Sequence, residues 1–495
     1  MKQPQNTPKT RKGTKKKADG NSVSSEYSVV ENQIPLDRRQ FLSQAAHGFG
    51  SIALWNLLST EGRATQTHFT PKAKNVIFLF MVGAPSHLDL YDPKPELTKR
   101  HGQRAPDHLL KGLNDPVVKA APTLFSSPRQ FTKHGQSGTE ISDYLPHISS
   151  IADDICLVRS MHTHTNVHDP AQLLFGCGNT LFGHPSMGSW INYGLGSESQ
   201  NLPGYIVLTS DSGNGICSGS NIWSNGFLPS QYRGVTFRSQ GDPVLNVTNP
   251  DGVSRADQRA RLDAISSLNQ LRYEKVGDPE INSRIASYEM AFRMQAAVPE
   301  LTDLSRESEA TKTTYGLDQE ITSDFGTNCL LARRMVERGV RFVMLAHSNW
   351  DHHSNLNAKL KTDCDMVDTG CAALIRDLKQ RGLLDETLII WGGEFGRTPM
   401  HEVRRGFTPG REGRDHHPYA FSTWLAGGGI KSGTVVGATD DFGYHAVKDR
   451  VHVHDLHATI LHCLGIDHER LTFRHQGFDH RLTNVHGNVI RKMLG

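Results

Sequence analysis

At 495 residues, 37% hydrophobic and 21% charged, the chain has a globular composition that excludes a fibrous or wholly disordered protein. Its formal charge of +3 is concentrated at the start, where residues 1–36 carry seven Lys/Arg against three Asp/Glu and leave 47 against 48 for the remainder. A near-neutral body without a basic stripe excludes the usual electrostatic basis for nucleic-acid binding. Seven scattered cysteines with no C-x-x-C pair give no zinc-knuckle signal, and most of them read as small buried apolar residues.

The first element in chain order is Leu36-Asp37-Arg38-Arg39-Gln40-Phe41-Leu42, followed by an apolar stretch to Leu58 that Gln44, His47 and Gly48 interrupt. This is the pattern of a twin-arginine export signal with a weakly hydrophobic core, the alternative being an amphipathic helix behind a basic tail. It predicts recognition by the twin-arginine export machinery and a periplasmic or extracellular location. No A-x-A cleavage site follows, so the segment is either processed within 59–66 or retained as an anchor. No later run approaches the roughly 18 apolar residues that a spanning helix needs. The expected organisation is therefore a basic tail and signal over 1–66 and one domain over 67–495.

Continuous apolar runs at 75–82, 155–158, 205–208, 340–346, 387–391 and 421–426 predict strands buried on both faces of a mostly parallel sheet. Helical patterns lie between them at 170–176, 254–276, 281–298, 324–338 and 362–381. Ser254 and Asp257 form a capping-box signature, and Leu262, Ile265, Leu268 and Leu271 follow at every third position, predicting a two-helix insertion at about 250–300. Alternating strands and helices imply an α/β fold with helices on both faces of the sheet, in which ligands gather at the carboxyl ends of the strands.

At those ends stand polar clusters. Ser86, His87, Asp89 and Asp92 follow the first run; Asp351, His352 and His353 follow the fourth; Glu394 and Arg397 follow the fifth; and Arg414-Asp415-His416-His417 precede the sixth. Carboxylates and imidazoles together suit a divalent cation, with nitrogen donors favouring Zn²⁺ or Mn²⁺ and an all-oxygen shell favouring Ca²⁺. Ser86, Asp89, Asp351, His353, Glu394 and either His416 or His417 are the candidate ligands. Asp89 could instead cap a helix, and Glu394 could belong to a simple glycine turn. Arg159, Arg397 and Arg414 are candidates to clamp an anion or, alternatively, ion-paired scaffolding.

The segments T-H-T-N-V-H-D-P-A-Q-L-L-F-G, W-D-H-H, W-G-G-E-F-G-R-T-P, G-R-D-H-H and V-H-D-L-H-A-T-I-L-H-C-L-G-I occur in an order similar to that of the alkaline phosphatase and sulfatase superfamily. Longer phrases, among them V-I-F-L-F-M-V-G-A-P-S-H-L-D and R-M-Q-A-A-V-P-E-L, resemble a narrower family of twin-arginine-exported, sulfatase-like bacterial proteins. The resemblance implies an alkaline-phosphatase-like fold and a metal-dependent ester hydrolase acting on a small anionic ester or a sulfated glycan. It places Asp351 and His353 as a metal pair, Glu394 in the place of a ligating Asp, and His416 or His417 as the late histidine ligand.

The same resemblance exposes departures. Gly83-Ala84-Pro85 stands where the first strand would deliver an Asp, leaving Ser86 or Asp89 to substitute, and Phe395 stands where Glu394 would have a histidine partner. Asn166 falls at the position of the nucleophile, and an amide cannot attack sulfur or phosphorus. No C/S-x-P-x-R sequence supports formylglycine chemistry. His164 and His168 are then left as a base or as further ligands. Hydrolysis without a protein nucleophile, a catalytically silent metal- or anion-binding envelope protein, and a metal-dependent phosphoryl transferase or mutase are the competing readings.

Overall fold

The apolar run expected at 75–82 forms strand β1 (Asn75–Met81) in a computed structural model that describes residues 67–495 apart from 112–118, 120–121, 211–215, 239–242, 245–246 and 403–409. The expected tail and export signal over 1–66 lie outside the described residues. β1 is joined in one sheet by β2 (Ile155–His162), β3 (Tyr205–Ser210), β4 (Val235–Phe237), β5 (Phe342–His347), β6 (Thr387–Gly392), β7 (Phe421–Ala426), β8 (Thr434–Val436) and β9 (Val451–His452). The order is β8-β2-β7-β6-β1-β5-β3-β4, with β9 also paired to β2. Strand β7 runs antiparallel to β2 and β6, and the other pairings are parallel.

The longer helices are α1 (His168–Cys177), α2 (Met187–Leu195), α3 (Arg255–Val276), α4 (Pro279–Thr302), α5 (Glu320–Glu337), α6 (Leu356–Gln380) and α7 (Val453–Cys463). Side chains alternate across a strand, so β1 feeds two cores at once. Ile77, Leu79 and Met81 pack with Leu330 of α5 and Leu374 of α6, whereas Val76, Phe78 and Phe80 pack with Leu173 of α1, Trp190 of α2 and Ile460 of α7. Burial on both faces is why β1 reads as an unbroken apolar run. The architecture is the expected mostly parallel sheet with helices on both sides.

The insertion forms α3 and α4, and α3 begins with the expected capping box between Ser254 and Asp257. Its apolar residues at every third position do not form one buried stripe. Each three-residue step falls about 60° short of a full turn, so three steps carry the pattern to the opposite side of the helix. Leu262 is accordingly buried while Leu268 and Leu271 are exposed. All seven cysteines are free, six of them buried and Cys217 exposed. Among the described residues, no helix is long and apolar enough to cross a membrane.

Candidate metal centre

Three parallel strands, β6, β1 and β5, lie side by side and release their following loops at one sheet edge. After β1 the chain turns at Gly83, whose φ of +110° suits glycine alone, and a Cβ there would stand 2.6 Å from the backbone nitrogen of Asp351. That close approach seats the β1 loop against the β5 loop. In the β5 loop Trp350 is wholly buried, and its indole N–H donates to His347 Nδ1 at 3.0 Å. With Trp350 driven into the core, the next side chain, Asp351, emerges at the edge.

Three imidazoles converge on Asp351. His353 Nε2 lies 2.9 Å and His416 Nε2 3.1 Å from Oδ1, and His168 Nε2 lies 3.4 Å from Oδ2. Each ring is held from behind at Nδ1: His353 by Glu402 at 2.5 Å, His416 by the Asn166 carbonyl at 2.8 Å, and His168 by Glu394 at 2.8 Å. An outer acceptor on one ring nitrogen fixes the tautomer and turns the other toward a metal. Two overlapping groups have donor atoms close enough to share an ion, His168-Asp351-His416 and His353-Asp415-His416.

The protonation pattern supports the same conclusion. A carbonyl can only accept, so His416 Nδ1 carries the hydrogen. Burial holds this imidazole neutral, down at about 3, and its bare Nε2 therefore faces a carboxylate. Two lone pairs opposed at 3.1 Å are unfavourable unless a positive charge sits against both. For Asp351, burial alone would raise the carboxyl, but hydrogen bonds from His168 and His353 and the charge of Arg397 hold it well below the ordinary range. Burial likewise opposes charge on His168, yet the carboxylates of Asp351 and Glu394 beside it raise it to about 9. Its Nε2 is buried without a well-aligned hydrogen bond, and a cation would replace the proton there. A mixed imidazole and carboxylate set of this kind fits Zn²⁺ or Mn²⁺ better than Ca²⁺.

Glu402 was not expected from sequence. Glu402→Gln should weaken metal binding by about 10–100-fold, because the amide no longer holds a proton on His353 Nδ1 as firmly. Chelator competition would measure this, and an unchanged affinity would exclude His353 as a ligand.

The cluster opens on a cavity of about 480 Å³ whose walls include Gly83, His168, Asn349, Asp351 and Lys359. Arg397 lies beside it but is 1% exposed, and its guanidinium is spent on Asp351 Oδ1 at 2.7 Å and on the carbonyls of Gly83, Ala84, Trp350 and Arg414. It positions Asp351.

Several expected site residues are placed elsewhere. Ser86 and Asp89 do not face the cluster: Ser86 Oγ donates to Asp89, and Asp89 forms a fully buried ion pair with Arg414 at 2.8 Å. Arg414 is thereby structural, with its remaining donors on the Phe125 and Thr398 carbonyls. Glu394 stands behind His168, accepting from the Gly83 N–H at 3.0 Å and from Gln172 at 3.3 Å. His416 and His417 form a short strand antiparallel to Gly396–Arg397, so their side chains point to opposite sides. His416 therefore enters the cluster, while His417 is buried against the Tyr444 carbonyl. Arg159 pairs with Glu140 at 3.7 Å. His164 stacks on His452 in a separate histidine-lined cleft. Asn166 contributes its backbone carbonyl to His416, and Phe395 supplies an apolar wall to the His168 and His416 rings.

The family described as "Protein of unknown function (DUF1501)" matches residues 73–494. No curated protein matches the chain. Among solved structures, the PsFucS1 sulfatase from Pseudoalteromonas sp. is 12% identical, with a TM-score of 0.33 over 85% of this chain and 72% of that one. The lipoteichoic acid synthase LtaP from Listeria monocytogenes is 9% identical, with a TM-score of 0.34 over 81% and 74%. An alkaline phosphatase from the Antarctic bacterium TAB5 is 10% identical, with a TM-score of 0.29 over 72% and 92%. Likeness this remote says nothing about activity.

Proposed function

The chain belongs to the DUF1501 family, and we propose that it is an exported, divalent-metal-dependent hydrolase of sulfate, phosphate or related anionic esters. The observation that carries this reading is the convergence of three imidazole Nε2 atoms on Asp351, each ring anchored at Nδ1, beside an open cavity. His416 with His168 and Asp351 would hold the ion, and His353 and Asp415 offer an overlapping set around the same His416. When bound, a dication supplies Lewis acidity and lowers the pKa of water to about 7. Arg397 keeps Asp351 ionised and oriented, Glu394 and Glu402 orient His168 and His353, and Phe395 keeps water from one side of the rings. The ester class itself comes from the sequence resemblance, with a sulfated glycan as one substrate, and export from the twin-arginine pattern. Crossing a membrane folded would let the protein load its metal first.

A silent metal-binding protein is the second reading. It is favoured by Asn166, which meets the cluster with a carbonyl and brings no nucleophile. Metal analysis of the purified protein and a panel of phosphate and sulfate esters separate the two. The expected result is stoichiometric Zn²⁺ or Mn²⁺ with chelator-sensitive turnover of at least one ester. Stoichiometric metal without turnover would establish the silent binder, and absence of bound metal would remove both.

A further inference from the structure

An anionic ester entering the cavity needs a cation to recognise it, and the three arginines considered from sequence are all committed to protein groups. Arg397 is held by Asp351 and four carbonyls, Arg414 by Asp89, and Arg159 by Glu140. One wall of the cavity is α6, which contributes Lys359, Thr362, Asp363 and Met366. Their spacing of i, i+3, i+4 and i+7 is one continuous face of a helix. Asp363 is occupied by His352 Nε2 at 2.7 Å. Lys359 is exposed and enters no ion pair among the described residues. Its ammonium is a point charge on a flexible stem, able to follow an oxygen on a substrate without a fixed guanidinium geometry.

We infer that Lys359 binds the charged oxygens of the substrate's phosphate or sulfate group, in the cavity that Asp351 also lines. This rests on the metal-dependent ester reading. With Asp351 neutralised by a bound dication, Lys359 is the positive side chain left on the wall, which selects a monoester anion over a neutral carboxylic ester. The tests use metal-loaded full-length protein, inorganic phosphate and sulfate as probes, and calorimetry at low salt, with metal content measured alongside. Wild type should bind at least one anion. Lys359→Met should weaken that binding by at least about 10-fold, equivalent to about 1.4 kcal/mol, while Lys359→Arg stays within about 3-fold and metal content is unchanged. Metal-replete wild type that binds neither anion, or Lys359→Met that binds as tightly as wild type, overturns the inference alone. Wild type that takes up no metal overturns the hydrolase reading beneath it.

Discussion

Asp351→Ala should abolish stoichiometric metal uptake and cut ester turnover by about 10²–10³-fold, the scale on which one preorganised electrostatic group acts. Three imidazoles and one guanidinium lean on this single carboxylate, and without it the bare His416 Nε2 loses the partner with which it would share an ion. The fold should survive, because Arg397 keeps its carbonyl acceptors at Ala84, Trp350 and Arg414. Asp351→Asn sharpens the test. The amide oxygen can still accept from Arg397, so shape persists while charge is lost, and metal uptake should fall nearly as far as in the alanine variant. Elemental analysis, thermal unfolding and the ester panel on the three proteins check this. Full metal loading of Asp351→Asn would show that the cluster binds without a charged centre, and full loading of Asp351→Ala would remove Asp351 as a ligand.

The strand order was not legible, but the strands were, because burial on both faces leaves an unbroken apolar run such as Val76 to Val82 with no competing helical period. Asp351 and His353 were legible for a related reason: polar groups directly after a buried strand must surface at the sheet edge. Distinguishing His416 from His417 required the antiparallel pairing with Gly396–Arg397, since alternation sends one inward and the other away. Glu394 resembled a ligand because it follows β6 at the correct point. Its place behind His168 depends on the Gly83 N–H, which comes from 311 residues away. Glu402 and Lys359 carried no local signal; the first acts through a loop, and the second is one charged residue on a long helix until α6 is set against the cavity.

Arg414→Met should destabilise the fold by about 3–5 kcal/mol, since it strands the Asp89 carboxylate in a fully buried position. For a domain of this size that is a fall in Tm of roughly 3–6 °C. Burial alone would raise the Asp89 carboxyl, but the charge and hydrogen bonds of Arg414, with hydrogen bonds from Ser86 and Ser127, hold it below its ordinary value of 3.8. A carboxylate whose folded pKa is depressed contributes stability that is present above the unfolded value and lost as pH falls through the folded one. The wild-type advantage over Arg414→Met should therefore be largest at neutral pH and shrink as pH falls, because without Arg414 burial raises the Asp89 carboxyl and its protonation relieves the unpaired charge. Replacing both partners, as in Asp89→Leu with Arg414→Met, should recover most of the loss, because two apolar side chains avoid an unpaired buried charge. An arginine that served as a substrate clamp would behave in the opposite way, leaving Tm unchanged while weakening anion binding. Thermal melts at neutral and acidic pH decide between these roles without knowledge of the substrate.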